Sequence, residues 1–174
     1  MTSELTWRVG APAQPPAGTL ELLTAAFAAP PYAYSPERVA GRLAAWDRLL
    51  GERDFRLVEA RRGSDLGPLV GVAWGWPTGD LVGGVYAGLY RRMRESLGPA
   101  MLALRGTEVV EVAVDPAAQG QGIGQGLLDR LTDGGPGWLL ARAESPASGW
   151  YRRHGWDPVG TVDIGVLLEV LVRP

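Results

Sequence analysis

Two features of this chain bring reactive or ligand-binding residue types together. The first is a glycine-dense turn, Gln119-Gly120-Gln121-Gly122-Ile123-Gly124. It follows an apolar run, Val109, Val110, Val112, Ala113 and Val114, whose β-branched residues read as a buried strand that Asp115-Pro116 stops. It precedes Ile123, Leu127, Leu128 and Leu131 at helical spacing, and Gly134-Gly135 ends that helix. Strand, loop and helix in succession aim several backbone N–H groups at one point. The helix N-terminus adds partial positive charge there, so the stretch suits a pyrophosphate. The second feature is Glu111, a carboxylate inside the apolar strand. Burial raises a carboxylate pKa towards neutrality, which suits a general base. A structural partner for a buried arginine, or a solvated residue on a half-open face, would account for the same residue. Glu108, nearer the strand entrance, is the weaker alternative base.

The spacing of the loop narrows its ligand. No Lys-Ser or Lys-Thr follows the glycines, so the Walker pattern fails. The dinucleotide fingerprint nearly fits, with Gly122-x-Gly124 and Glu144 some 20 residues beyond. Its third glycine position holds Leu127, however, or Gln125 if the motif starts at Gly120. Only 50 residues follow Gly124, too few for a usual dinucleotide fold. Gln-x-x-Gly-x-Gly over 119–124 fits another pattern: it resembles the acyl-CoA loop of the GNAT superfamily of N-acetyltransferases. Downstream, Gly137–Ala143 is an apolar strand candidate, and Ser145-Pro146 opens a helix with a cap and a first-position proline. That helix carries Tyr151-Arg152-Arg153-His154-Gly155-Trp156. It is similar to the Tyr-x-x-x-Gly-Phe segment that closes the same superfamily's CoA site, with Trp in place of Phe.

The resemblance covers about Glu108 to Val172 and is only topological before that. It implies an α/β fold with a mixed, mostly antiparallel central sheet and flanking helices. It implies acetyl-CoA as co-substrate and no metal. The backbone of Val112, Ala113 and Val114 would grip the pantetheine arm. Gln119, Gly120, Gln121, Gly122, Ile123, Gly124 and Gln125 would take the pyrophosphate, with Gly122 and Gly124 allowing close approach. The family often uses Glu at the place of Glu111, commonly through a water. Tyr151 falls where the family's general acid lies beside the CoA sulfur; core packing with one hydrogen bond is its bland role. His154, the sole histidine, is expected at the surface. The implied function is transfer of an acetyl group to a primary amine. A catalytically idle acyl-CoA-binding domain on the same fold is the alternative, and a nucleotide-binding oxidoreductase a remote third. The acceptor stays open: small-molecule amine, antibiotic, peptide N-terminus or lysine side chain. A homodimer is left open as well.

Composition sets bounds on these readings. The 174 residues suffice for one domain with a real core. Hydrophobic content is 46%, and the net charge of −2 offers no electrostatic case for nucleic acid or an anionic membrane. All 17 basic residues are Arg, which reads as codon bias and not as a binding feature. With no cysteine there is no disulfide or thiolate chemistry, which fits a reducing cytoplasm. No apolar run reaches the length of a membrane span, and no secretory signal is expected at the N-terminus.

The scaffold around these groups is legible in the same way. Leu5–Val9 is a strand. Thr19 caps a helix to about Ala28, and Ser35-Pro36 opens a second that runs to about Leu50. Phe55–Ala60 and Leu69–Trp76 form a hairpin. Residues 78–106 read as an insertion, part helical through Leu89, Met93 and Leu97, packing near the acceptor end. Its Arg91, Arg92 and Arg94 read as a solvated helix face. Val159–Val162 and Val166–Val172 close the sheet, the last strand covered on both faces. Seven tryptophans are many for this length. Trp74 and Trp76, with Tyr32, Tyr34, Tyr86 and Tyr90, are candidates for an aromatic acceptor pocket or simply for core.

Overall fold

The strand over Thr107–Val114 lies at the centre of a seven-stranded sheet. The computed structural model describes residues 4–52 and 54–174. In chain order the strands are β1 (Leu5–Gly10), β2 (Arg56–Arg62), β3 (Leu69–Pro77), β4 (Thr107–Val114), β5 (Gly137–Arg142), β6 (Asp157–Asp163) and β7 (Leu167–Arg173). The helices are α1 (Thr19–Phe27), α2 (Pro36–Leu43), α3 (Trp46–Leu50), α4 (Ala87–Leu97), α5 (Ile123–Leu131) and α6 (Pro146–Arg153). The sheet runs β1-β2-β3-β4-β5-β7-β6. Among the described residues only β4 and β5 pair in parallel; the other pairs are antiparallel. This is the mixed, mostly antiparallel sheet with flanking helices that the resemblance implied.

Two irregularities mark β4. Trp74 pairs with Glu111 and Gly75 with Val109, so Val110 is an extra residue, a bulge that bends the strand. Gly75 permits it: a Cβ there would stand 2.0 Å from the Glu108 carbonyl oxygen. The second irregularity faces β5. Thr107, Glu108 and Val109 pair with Gly137, Trp138 and Leu139, and the ladder then stops while both strands continue. Beyond Val109 the sheet is therefore split.

Helices cover both faces. On one, Ile123, Leu127, Leu128 and Leu131 of α5 pack on Val58, Ala73, Val109 and Leu139. On the other, Leu22, Leu23 and Phe27 of α1, Val39 of α2 and Trp46 of α3 pack on Leu57, Val72, Trp74 and Ala113. Tyr90, Met93 and Leu97 of α4 join Trp138, Val162 and Val170 in a third cluster. The segment 78–106 leaves and re-enters the sheet at one point, where the Thr78 N–H donates to the Gly106 carbonyl at 2.7 Å.

Local signals set most boundaries. Ser35 Oγ accepts from the Arg38 N–H, Ser145 Oγ from the Ser148 N–H, and each is followed by proline at the helix start. Thr19 differs from expectation. Gly18 occupies the cap with φ +91°, and Thr19 is the first helical residue, its hydroxyl donating to the Pro16 carbonyl at 2.6 Å. The helix expected over 36–50 is two, broken at Ala44-Ala45, because Trp46 turns inward to meet Phe55 and Trp74 edge-on at 5.4 Å.

Candidate active site

The split between β4 and β5 opens a cavity of about 570 Å³. Val109 to Val114 form one wall, Leu139 to Arg142 another. Tyr151 of α6, Phe27, Tyr32, Tyr34 and Arg42 from the α1–α2 side, and Ile164, Val166 and Leu168 around the β6–β7 turn also line it. Val112, Ala113 and Val114 keep ladder partners on β3 only, so their β5-facing backbone groups lie along the cavity.

Gln119 lines one part of this cavity and leads into the glycine loop. Gly120 and Gly122 both have φ of +76°, and nothing stands within 4 Å of where either Cβ would be. Side chains rarely adopt that backbone, and the open space lets a ligand approach it. The first hydrogen bond of α5 runs from the Gly126 N–H to the Gly122 carbonyl, and no side chain caps the helix. The N–H groups of Ile123, Gly124 and Gln125 thus have no partner within the helix, as an anion site requires. The side chains around them do other work. Ile123 is in the core, Gln121 accepts from Arg62 at 3.4 Å, and Gln125 donates to Asp129 at 2.8 Å. The donors that the start of α5 leaves without a partner in the helix are therefore backbone N–H groups.

Glu111 is 7% exposed and accepts a hydrogen bond from Nη2 of Arg42, which is itself 41% exposed. Burial pushes the Glu111 carboxyl above its ordinary value, and the Arg42 guanidinium pulls against that without cancelling it. The solvated reading of Glu111 fails, since the carboxylate is buried; the other two meet in one place, because burial pushes its pKa up and it has an arginine partner, though that arginine is not itself buried. Arg42 could not have been named from the sequence, since it lies 69 residues away on the polar side of α2 with no motif around it.

Glu111 and Arg42 also line a second cavity, of about 300 Å³, between α1, α2, α3, Trp74 of β3 and the segment before α4. Leu23, Leu43, Leu49, Trp74, Val85 and Tyr86 make its apolar wall, with Arg48 also on its lining. The ion pair therefore stands where the two cavities adjoin. The segment 78–106 reaches this cavity through Val85 and Tyr86, while α4 itself packs against β6.

Glu108 does not belong to the site. It is 4% exposed and accepts from Trp76 Nε1 at 2.9 Å and from the Tyr90 hydroxyl at 2.7 Å. It ties α4 to the sheet and lines neither cavity. Trp76 and Tyr90 are thereby core, whereas Tyr32 and Tyr34 line the first cavity and Trp74 and Tyr86 the second.

Tyr151 lies on α6, which is held by a buried carboxylate. Glu169 of β7 accepts from Ser148 and Arg152. Burial pushes the Glu169 carboxyl up, but these hydrogen bonds and the Arg152 charge outweigh it and hold it below its ordinary range. Burial, and then the Tyr32 and Glu111 charges, push the Tyr151 hydroxyl well above its ordinary value. It therefore keeps its proton at neutral pH, as a proton donor must. His154 is exposed, stacked on Trp150 at 4.0 Å, with Nδ1 2.7 Å from the Trp150 carbonyl oxygen. In the basic run, Arg94 donates to the Leu81 carbonyl and Arg92 to the Asp163 carbonyl at 3.3 Å. Among the described residues no cluster of His, Cys, Asp and Glu could hold a metal ion, and no helix is long and apolar enough to cross a membrane.

Comparison with known proteins points the same way. Residues 67–158 match the family model of the acetyltransferase (GNAT) domain. No curated protein matches the sequence. Among solved structures, a Desulfovibrio desulfuricans protein assigned to the GNAT family is 17% identical, with 97% of this chain and 98% of that chain covered and a TM-score of 0.64. A structure from Corynebacterium glutamicum, described as histone acetyltransferase HPA2 and related acetyltransferase, is 20% identical over 100% and 97% of the two chains, TM-score 0.62. The NatC complex bound to Gag peptide and CoA has a chain 14% identical over 98% of each, TM-score 0.58. At these identities the likeness is one of fold.

Proposed function

This chain belongs to the GNAT family of acetyltransferases, and from that premise we propose that it transfers an acetyl group from acetyl-CoA to a primary amine of a small-molecule or peptide acceptor. The observation that carries the reading is the split between β4 and β5, with Glu111 and Tyr151 on its walls and the glycine loop leading from it. The free N–H groups at the start of α5 would hold the pyrophosphate, and the β4 backbone over Val112–Val114 the pantetheine arm. That a chain of the same fold was solved with CoA supports this reading.

In the step itself, the acceptor ammonium loses one proton to Glu111 and the free amine attacks the thioester carbonyl. A C–N bond forms and the C–S bond breaks. Tyr151 protonates the departing thiolate, and the amide nitrogen sheds its second proton. The sum is an amide, a thiol and one proton released to solvent. Glu111 serves only when ionised and released by Arg42, so the acceptor must compete with that guanidinium.

The pairing of Glu111 with Arg42 is the one observation favouring a second reading, an acyl-CoA-binding domain without turnover. Calorimetry with CoA, followed by a thiol-release screen of amines with acetyl-CoA, separates the two. Binding with turnover supports transfer; binding without turnover on any amine supports the idle domain; absence of binding refutes both.

A further inference from the structure

The second cavity has a chemistry of its own that the transfer reaction does not require. A carboxylate and a guanidinium meet at its lining, Arg48 also borders it, and the rest of its wall is apolar. Resting on acetyl transfer at the adjoining site, we propose that this cavity is the acceptor pocket and that the acceptor is a free α-amino acid with a large apolar side chain.

The argument is one of charge exchange. The Arg42–Glu111 pair is neutral, and Glu111 is buried. A plain alkylammonium that took Glu111 would leave the Arg42 guanidinium, 41% exposed, with water in place of its anion and would gain nothing from it. A zwitterion engages both groups. Its ammonium takes Glu111, and its carboxylate takes the guanidinium thereby released, with charge-assisted hydrogen bonds on both sides. Arg48 enters no ion pair among the described residues and offers the same carboxylate a second donor. The side chain then faces Leu23, Leu49, Trp74 and Tyr86. A cavity of about 300 Å³ lies at the small end of ligand pockets, which suits one amino acid and not a peptide. Trp74 Nε1 is buried without a hydrogen-bond partner in the same wall, one polar group among apolar neighbours. The product is the N-acetyl amino acid, which has lost its hold on Glu111; once it leaves with its carboxylate and Glu111 gives up its proton, the Arg42 pair re-forms.

The test uses the full chain saturated with CoA. Calorimetry compares phenylalanine, phenethylamine and phenylalaninamide, and thiol release with acetyl-CoA then ranks the same three as acceptors. Phenylalanine is expected to exceed the other two by roughly ten- to hundredfold, the worth of a charge-assisted hydrogen bond. Arg42→Leu should collapse that preference towards unity, and Arg48→Ala should raise KM for phenylalanine more than for phenethylamine. Val85→Trp, which fills the cavity from the partly exposed segment before α4, should weaken phenylalanine while sparing glycine. Equal use of the three ligands, or a preference that survives Arg42→Leu, overturns the acceptor assignment while leaving acetyl transfer intact. No binding of phenylalanine to the CoA complex also overturns it. Failure of CoA itself to bind instead strikes the underlying reading.

Discussion

Gly124→Asp tests the anion site without disturbing the fold. Gly124 is the second residue of α5, and a Cβ there would lie 3.5 Å from the Trp150 ring, an ordinary contact. A carboxylate in the first helical turn favours the helix by about 0.3–1 kcal/mol. The melting temperature of the free protein should therefore hold or rise slightly. The bound state responds in the opposite sense. Taking ~5 Å between the new carboxylate and the pyrophosphate, and an effective dielectric of ~40 for this half-exposed turn, each pair of like charges repels by roughly 1.7 kcal/mol. Two charges on the pyrophosphate roughly double that, a loss on the order of a hundredfold in CoA affinity at low salt. Calorimetry at low and high salt measures it, with Gly124→Asn as the uncharged control of nearly equal size. Asn should keep most of the affinity, and salt should restore part of what Asp loses. Undiminished binding by the Asp variant removes the pyrophosphate from this helix end. Equal losses in both variants, insensitive to salt, would show that space and not charge decides.

The other predictions concern the two candidate proton carriers and the residue excluded from that role. Tyr151→Phe keeps the ring and removes only the proton, so turnover should fall by about tenfold to a few hundredfold, with CoA affinity nearly unchanged; full activity would take Tyr151 out of the mechanism. Glu111→Gln should lose most rate at acidic to neutral pH and recover at alkaline pH, where the amine deprotonates unaided. The raised pKa of Glu111 adds a stability signature. Its native state holds the proton more tightly than the unfolded chain, so this contribution is full below the ordinary carboxylate value and is lost as pH climbs through the raised one. Melting curves of Glu111→Gln should be flatter across that window, and an unchanged profile would contradict the burial argument. Tyr90→Phe breaks a hydrogen bond to buried Glu108, which should cost about 1–3 kcal/mol and several degrees of melting temperature. CoA affinity should not change, because Glu108 lines neither cavity.

What the residues determine by their order alone is local. The strand, glycine loop and helix over Thr107–Leu131 are contiguous, so β-branched residues, φ-permissive glycines and helical spacing mark them without outside help. Ser35-Pro36 and Ser145-Pro146 start their helices by chemistry that spans four residues. Thr19 misled because a threonine before an apolar run reads as a cap, while Gly18 with its positive φ took that place. What was left to tertiary packing is non-local. Glu108 and Glu111 are both carboxylates in one strand, and position along it ranks Glu111 first without showing what either meets. The bulge at Val110 brings both to one face, Glu108 opposite Trp76 and Glu111 opposite Trp74, and only the neighbours each side chain meets separate them: Trp76 and Tyr90 hold Glu108 as structure, and Arg42 meets Glu111 between two cavities. The split of the sheet is equally invisible in either strand alone, since β4 and β5 each run on and merely stop pairing after Val109 and Leu139. Spacing along a chain reports which backbone each residue prefers; which charges become partners depends on packing that brings together residues as far apart as Arg42 and Glu111, 69 positions apart in the chain.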